Sequence, residues 1–476
     1  MESNDEIVEK IVKRLRYYRS MGVEPLSLAT GCAVKVDLLR VVYPAMEEIR
    51  QRLENVTIAD REDADIFYGD PSSVSLNRVM VDLGEERSPT LRLKADARAI
   101  ILIQVYQMDA NEPLKFIKKV LPAYRTISRC APKIRIGKGH SIVTPFREDE
   151  FMMADIISYE KGENVILANN DTMHVIDPTS DPADYRQVSG AISNSLNDLF
   201  VYGGYRDIKI APLLNAPDEG LREEMMSNAR KFAESIGARL VEVEQPKRGK
   251  LLLGATVLAS SDKKPPTFHK EVDKGMKLIS TRPFGELAPI TVYLSTAIDK
   301  SIINDLEEKG IGLSELEKMK EKAFDMISTP NKGLGEVLAK YLPDVNEDYR
   351  KDQHVACATD VTGQGILILW EISKLTNSHI KVYDFPLLFP EISQFATESF
   401  LMPNATAGTN GGFVIIAPEE IHEEIMKELS LKGYEPKVIG EVLEKGKAMV
   451  EAPRSVAKYV IDEEILGKFT LKGVDK

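Results

Sequence analysis

The residues best placed to do chemistry lie between Val165 and Gly204, in VILANNDTMHVIDPTSDPADYRQVSGAISNSLNDLFVYGG. Val165-Ile166-Leu167 reads as a buried strand ending at Asn169-Asn170-Asp171. A Pro- and Asp-rich connection then leads to a helix expected over about 184–202. Its apolar Val188, Ala191, Ile192, Leu196, Leu199 and Phe200 recur at helical spacing. Asn194 and Asp198, four residues apart, share a different face of that helix, and Gly203-Gly204 ends it. A carboxylate at a strand end and a second on a packed helix suit magnesium, which takes hard oxygen ligands and keeps water in its other positions. Taken alone, the same residues also fit a strand-end turn and a solvated helix position.

A second reactive pattern is LATGCAVKVDLLRVV, residues 28–42. Cys32 follows a glycine in a Thr-Gly-Cys-Ala turn, with Lys35 three residues on. A nearby ammonium lowers the pKa of a thiol, and the thiolate is the nucleophilic form. Taken alone, a cysteine is more often a buried structural residue than a nucleophile, and that is the reading for Cys130 and Cys357.

Composition bounds what these residues can serve. A chain of 476 residues has room for roughly two to four domains. Apolar residues at 43% and charged residues at 29% describe an ordinary globular protein. The net charge of −12 argues against a general nucleic-acid or membrane-surface binder, whose footprint is basic. No apolar run approaches the ~20 residues of a spanning helix, and MESNDEIVEK is too polar for a signal peptide. Three cysteines cannot build a full disulfide framework and suit a reducing cytoplasm.

The elements that must position the reactive residues follow in order. Residues 1–20 read as an amphipathic helix with Ile7, Ile11, Val12, Leu15 and Tyr18 on one face, packed on the main body or on a partner subunit. Between about 70 and 150, a strand at 97–106, a helix at 112–127 and a basic strand and turn at 133–143 are expected. Gly137-Lys138-Gly139-His140 in that turn lacks Walker spacing and reads as solvated. After Gly204 come a strand (DIKIAPLL), a helix (EGLREEMMSNARKFAESIG) and a strand (ARLVEVEQP). SSDKKPPTFHKEVDKG, 260–275, is a polar, Pro-containing linker, and the charged run 299–324 reads as a helical surface element. The last stretch is α/β, with a helix at 419–432 and a strand at 436–439.

The order N-N-D-T…D-P…D-Y-x-x-V-x-x-A-x-x-N-S-L-N-D-L-F-V-Y-G-G resembles the nucleotide-binding core of selenophosphate synthetase. That enzyme belongs to an ATP-dependent superfamily with aminoimidazole ribonucleotide synthetase, thiamine-monophosphate kinase and a hydrogenase maturation protein. G-C-A-V-K-V is similar to the family's G-C-x-C-K-[IV] loop, with Val34 in place of the second cysteine. The resemblance makes Cys32 and Lys35 the catalytic pair. R-E-D-A-D-I is similar to R-D-D-A-A-V and makes Asp63 a magnesium ligand, while MMADIISYEKGENVILANND offers Asp155 for the same role. Further landmarks are QPKRGKLLLGATVLA, KLISTRPFGELAP, MISTPNKGLGEVLAKYL, ACATDVTGQGILILWEISK, VYDFPLLFPE and AGTNGGFVIIAPEE. Ile236-Gly237-Ala238 replaces Gly-Gly-His, Arg282 replaces a lysine that can face phosphate, and Gly408-Thr409-Asn410 replaces Glu-Thr-Ser.

The resemblance implies an α+β (α/β) chain with a two-domain aminoimidazole ribonucleotide synthetase-like fold. Its parts would be a helix and Cys/Lys loop (1–45), an ATP-binding domain (46–260, with an insertion at about 70–150) and a C-terminal α/β sandwich (275–476). N-terminal domains would pair in a homodimer, contributing strands to an interface β-barrel. ATP would meet Lys35, Asp171, Asn194 and the turn of Thr362, Gly363 and Gly365, whose glycines let backbone amides approach a phosphate at a helix N-terminus. Asp63 or Asp155, with Asp171, Asp198 and Asp360, would bind Mg2+. The implied reaction converts ATP, water and selenide, or a sulfur analogue such as sulfide or persulfide, to a chalcogen-phosphate, AMP and phosphate. Alternatives are a related enzyme acting on a small carbonyl or amide, and an ATP-binding regulator without turnover.

Overall fold

The first helix shows how the chain folds onto itself. In a computed structural model, α1 (Asn4–Ser20) starts at a capping box, in which Ser3 Oγ accepts from the Glu6 N–H and Glu6 accepts from the Ser3 N–H. Ile7, Val8, Ile11 and Leu15 bury one stripe against α4 (Leu287–Ser295), α5 (Ser301–Glu308) and α6 (Leu313–Ser328). The helix therefore packs on the main body. The run 299–324 likewise is more than a surface element, because Leu313, Leu316, Lys320, Ala323 and Phe324 are buried.

The structure describes residues 3–23, 51–52, short strand segments between 56 and 161, and 164–472 apart from breaks at 174, 244, 246–250, 298–299, 364, 400, 403–404, 406–407, 409 and 460–468. Cys32, Lys35, Asp63, Cys130, Gly139, His140 and Asp155 lie outside the described residues, as do the strand and helix expected at 97–106 and 112–127. The short segments are β1 (Val56–Ala59), β2 (Ile134–Gly137), β3 (Ile142–Val143), β4 (Pro145–Arg147) and β5 (Glu150–Phe151). β2 and β3 pair antiparallel.

Five strands form one mixed sheet in the order β6-β7-β10-β8-β9: β6 (Ile157–Lys161), β7 (Asn164–Met173), β8 (Arg206–Pro212), β9 (Arg239–Leu240) and β10 (Leu253–Ser261). On β7, Val165, Leu167 and Asn169 are buried, so the odd-numbered residues form the inner face. The strand runs two residues beyond the expected end, to Met173, which puts Asp171 within it on that face. α2 (Tyr185–Val201) and α3 (Glu219–Ser235) follow β7 and β8.

Seven strands form a second mixed sheet, β12-β14-β11-β15-β13-β16-β17. They are β11 (Lys277–Ser280), β12 (Cys357–Asp360), β13 (Ser378–Val382), β14 (Phe413–Ala417), β15 (Lys437–Lys445), β16 (Met449–Pro453) and β17 (Phe469–Lys472). Its helices are α7 (Lys332–Ala339), α8 (Ile368–Thr376), α9 (Pro390–Glu398) and α10 (Glu419–Leu431).

The β-barrel expectation is overturned. Among the described residues both sheets are open: the five-stranded sheet ends at β6 and β9, the seven-stranded sheet at β12 and β17, and no end strand pairs with the other. Closure requires strand number, tilt and register to agree around a full circumference, and a five-stranded sheet ending in the two-residue β9 does not meet that condition. What holds is an α/β arrangement whose main core joins the two sheets. Val165, Leu196, Leu199 and Val257 from the first sheet side meet Leu334, Phe413 and Ile415 from the second.

Candidate functional site

α2 is the element around which the site residues gather. Asp184 caps it, its side chain accepting from the Arg186 N–H at 2.8 Å. From Gln187 to Val201 every residue is buried except Asp198, which is half-buried. The apolar face read from the sequence is thus only part of the packing: β7, β10, β12, α3, α6 and α7 all contact the helix. A helix with polar groups in such a position must satisfy them internally.

Around this helix, three carboxylates are each paired with a carboxamide. Asn194 Nδ2 donates to Asp171 Oδ2 at 2.5 Å, and the Thr172 N–H donates to Asp171 Oδ1 at 2.7 Å. Asn169, two residues before Asp171 on the same strand face, donates from Nδ2 to Asp198 Oδ2 at 2.6 Å and to the Ser195 carbonyl at 3.0 Å. Gly254 on β10 lies opposite Thr172, where a Cβ would stand 2.1 Å from the Asp171 carbonyl oxygen. Only a residue without a side chain lets the strands approach there.

The third carboxylate comes from the other sheet. Asp360 ends β12, opposite Phe413 on β14, and its Oδ2 accepts from Asn197 Nδ2 at 3.1 Å. At about 100° per residue, Asn197, Asn194 and Asp198 fall within roughly 100° of arc on α2. One helix face therefore touches carboxylates that are 189 residues apart in the chain (360 − 171). After Asp360, Thr362 is half-buried, Gly363 is buried and Gly365 has a φ of +51°; the Gly365 N–H donates to the Thr362 carbonyl at 3.0 Å. This turn leads through Gly365–Leu367 into α8.

Arg282 is turned into the interior. It is 5% exposed, and its guanidinium donates to Glu286 Oε1 at 3.2 Å, Asn331 Oδ1 at 3.3 Å and the Asn410 carbonyl. Burial raises the Glu286 carboxyl above its ordinary range, against the pull of Arg282. A guanidinium offers five donors in a fixed planar fork against the three of an ammonium, which suits this interior position.

A second buried ion pair lies on the connection after β7. Asp177 accepts from Lys320 Nζ at 2.9 Å, from Thr179 Oγ1 at 2.6 Å and from Ser180 Oγ at 2.6 Å. Burial alone would raise the Asp177 carboxyl, but Lys320 and the two hydroxyls hold it below its ordinary value. Burial would likewise lower Lys320, yet Asp177 and Glu321 keep it above its usual range. A cleft of about 600 Å³ between α1 and α6 reaches this pair, lined by Lys10, Arg14, Tyr293 and Lys320 among others; none of the described candidate site residues lines it.

Asp171, Asp198 and Asp360 fit magnesium in donor type, being hard oxygen ligands each oriented by an outer amide. Among the described residues, no group of three His, Cys, Asp or Glu side chains is arranged to hold a metal ion. The remaining donors named from the sequence, Asp63 and Asp155, lie outside those residues. The sequence reading gives no role in the site to Asn169, Asn197, Asn331 or Asn410. The amide-rich spacing N-S-L-N-D is the signal that could have found Asn197, since Asn197 shares the arc of Asn194.

No protein-family model matches the chain. The selenide, water dikinase of Methanocaldococcus jannaschii is 24% identical over 310 residues, 64% of this chain and 84% of that protein. The selenide, water dikinase of Clostridioides difficile is 25% identical over 327 residues, 62% of this chain and 85% of that protein. A solved structure of thiamine-monophosphate kinase from Stenotrophomonas maltophilia K279a has a TM-score of 0.43 at 14% identity, covering 70% of this chain and 95% of its own. Among the described residues, no helix is long and apolar enough to cross a membrane.

Proposed function

Because the chain belongs to the ATP-dependent superfamily that includes selenophosphate synthetase, aminoimidazole ribonucleotide synthetase and thiamine-monophosphate kinase, we propose that it transfers a phosphoryl group from ATP to a reduced chalcogen. The acceptor would be selenide or a sulfur analogue, sulfide or persulfide; with water taking up the other phosphoryl group, the products would be a chalcogen-phosphate, AMP and phosphate. The observation that carries this reading is that Asp171, Asp198 and Asp360 each accept a hydrogen bond from an asparagine amide on or beside α2. Phosphoryl transfer asks a protein mainly for positioning and charge compensation, and three pre-oriented carboxylates supply the anchoring half of that task. Magnesium held by those carboxylates, with Asp63 or Asp155, would neutralise charge on the phosphates. Asn194 and the Thr362–Gly365 turn would orient the nucleotide. Lys35 would reach its phosphates, and Cys32 would handle the chalcogen.

Phosphorus NMR of the purified protein with ATP and magnesium, given selenide and sulfide in turn under anaerobic conditions, tests this function. The expected result is a new chalcogen-bound phosphorus signal with AMP formed, and both lost in Cys32→Ser. Intact ATP in every tube defeats it. ATP turnover that survives Cys32→Ser unchanged would point instead to a small carbonyl or amide acceptor.

A further inference from the structure

The Arg282 cluster and the Asp360 carboxylate are ends of one hydrogen-bonded chain. Arg282 Nη1 donates to Asn331 Oδ1 at 3.3 Å, Asn331 Nδ2 donates to Asn197 Oδ1 at 2.8 Å, and Asn197 Nδ2 donates to Asp360 Oδ2 at 3.1 Å. The two asparagines are nearly inaccessible, Asn197 at 0% and Asn331 at 1% exposure. An amide can be turned either way, but a guanidinium only donates and a carboxylate only accepts. With Arg282 at one end and Asp360 at the other, both asparagines have a single permitted orientation.

Three further features show that the chain is built in rather than incidental. Asn331 occupies the N-cap of α7, where asparagine ordinarily accepts from a helix N–H, yet its side chain makes no cap bond and turns into the chain instead. The Gly411 carbonyl accepts from both Asn331 at 2.8 Å and Asn197 at 3.3 Å. A Cβ at Gly411 would stand 1.6 Å from the carbonyl oxygen of Val361, the residue after Asp360, so that carbonyl can reach its place only because residue 411 is glycine.

We propose that Arg282, Asn331 and Asn197 are positioning residues that act as a one-way donor relay, fixing the Asp360 carboxylate against the α2 face that carries Asn194 and Asp198. The inference rests on the function proposed above. Asn331→Asp is the decisive variant, being the same shape with only acceptors at its end. It cannot donate to Asn197 Oδ1, so Asn197 must turn its amide toward residue 331 and present its carbonyl to Asp360. The carboxylate is then pushed out of register with α2.

The test measures Mn2+ bound in the presence of a non-hydrolysable ATP analogue, by EPR, together with the analogue's affinity and the kcat and KM for ATP turnover. Asn331→Asp should weaken Mn2+ binding and lower kcat about 10- to 100-fold, the range for loss of a partner that orients a metal ligand. Analogue affinity and KM should stay within about threefold, a split that general loosening would not give. Asn331→Ser, which keeps a hydroxyl donor, should fall between it and wild type, and decides the matter if Asn331→Asp does not fold. A folded Asn331→Asp, or Asn331→Ser in its place, with wild-type Mn2+ binding overturns the relay. Wild-type protein that binds neither Mn2+ nor the analogue overturns relay and function together. A wrong phosphoryl acceptor would defeat the proposed function alone, since the EPR arm needs no turnover.

Discussion

Lys320 Nζ lies 2.9 Å from Asp177 Oδ2, and both side chains are buried. The pair joins α6 to the connection between β7 and α2, so it ties the carboxylate-bearing strand and helix to the neighbouring helical layer.

Lys320→Met should therefore cost about 3–5 kcal/mol, because it leaves the Asp177 charge buried without its cation. The signs follow from the two shifts. Asp177 is depressed in the folded state, so its contribution is present above the ordinary carboxylate value and is lost as pH falls through the depressed value. Lys320 is raised, so its contribution is complete below the ordinary lysine value and is lost as pH rises through the raised one. Wild-type stability should carry this pair's contribution undiminished across neutral pH. In Lys320→Met, acidification should recover stability as Asp177 takes up a proton. Urea unfolding at pH 7 and pH 5 checks both, and a variant within about 1 kcal/mol of wild type at pH 7 would count against the buried pair.

Asp171→Asn and Asn194→Ala separate the anchoring carboxylate from the amide that orients it. Asp171→Asn keeps the shape and an acceptor for Asn194 but removes the charge, so ATP turnover should fall on the order of 100-fold or more. Asn194→Ala leaves the charge and removes its guide, and should cost roughly 10- to 100-fold. Steady-state kinetics with matched circular dichroism spectra would test this ordering. Equal, small losses in both would remove Asp171 from the site.

Much of this arrangement is legible in the sequence because it is local. The helix expected over about 184–202 forms as Tyr185–Val201, since its caps and apolar spacing lie within twenty residues of one another. The D-V-T-G-x-G stretch likewise gives a strand, a glycine turn and a helix. What escaped depends on distant partners. Whether a sheet closes is decided by which edges meet, so the open five-stranded sheet is invisible in any one strand. Arg282 reads as a phosphate-facing cation until Glu286, Asn331 and Asn410 surround it. The amide of Asn197 has no evident task until Asp360, 163 residues away, is brought beside it.

Gly411→Ala tests the packing beneath Asp360 directly. The new methyl would overlap the Val361 carbonyl oxygen at 1.6 Å and its carbon at 2.7 Å, both backbone atoms that no rotamer change can move. Overpacking of this kind costs typically 1–3 kcal/mol, and a backbone clash belongs at or above the upper end. Thermal or urea unfolding should show at least that loss. A variant as stable as wild type would mean that the 410–413 segment and β12 do not approach as closely as described.

Cys357 provides a contrast with the reactivity assigned to Cys32. It is buried on β12, and burial pushes its thiol up to about 12. At pH 8 about one molecule in ten thousand would carry the thiolate there, and reagent access is closed as well. In the double variant Cys32→Ser, Cys130→Ser, which leaves Cys357 alone, a disulfide reagent such as DTNB should release no colour from the native protein over an hour. One equivalent should appear once the chain is unfolded in guanidinium. Stoichiometric labelling within minutes, with the circular dichroism spectrum unchanged, would show that this strand opens in the native state and that its thiol is not the inert core residue its burial requires.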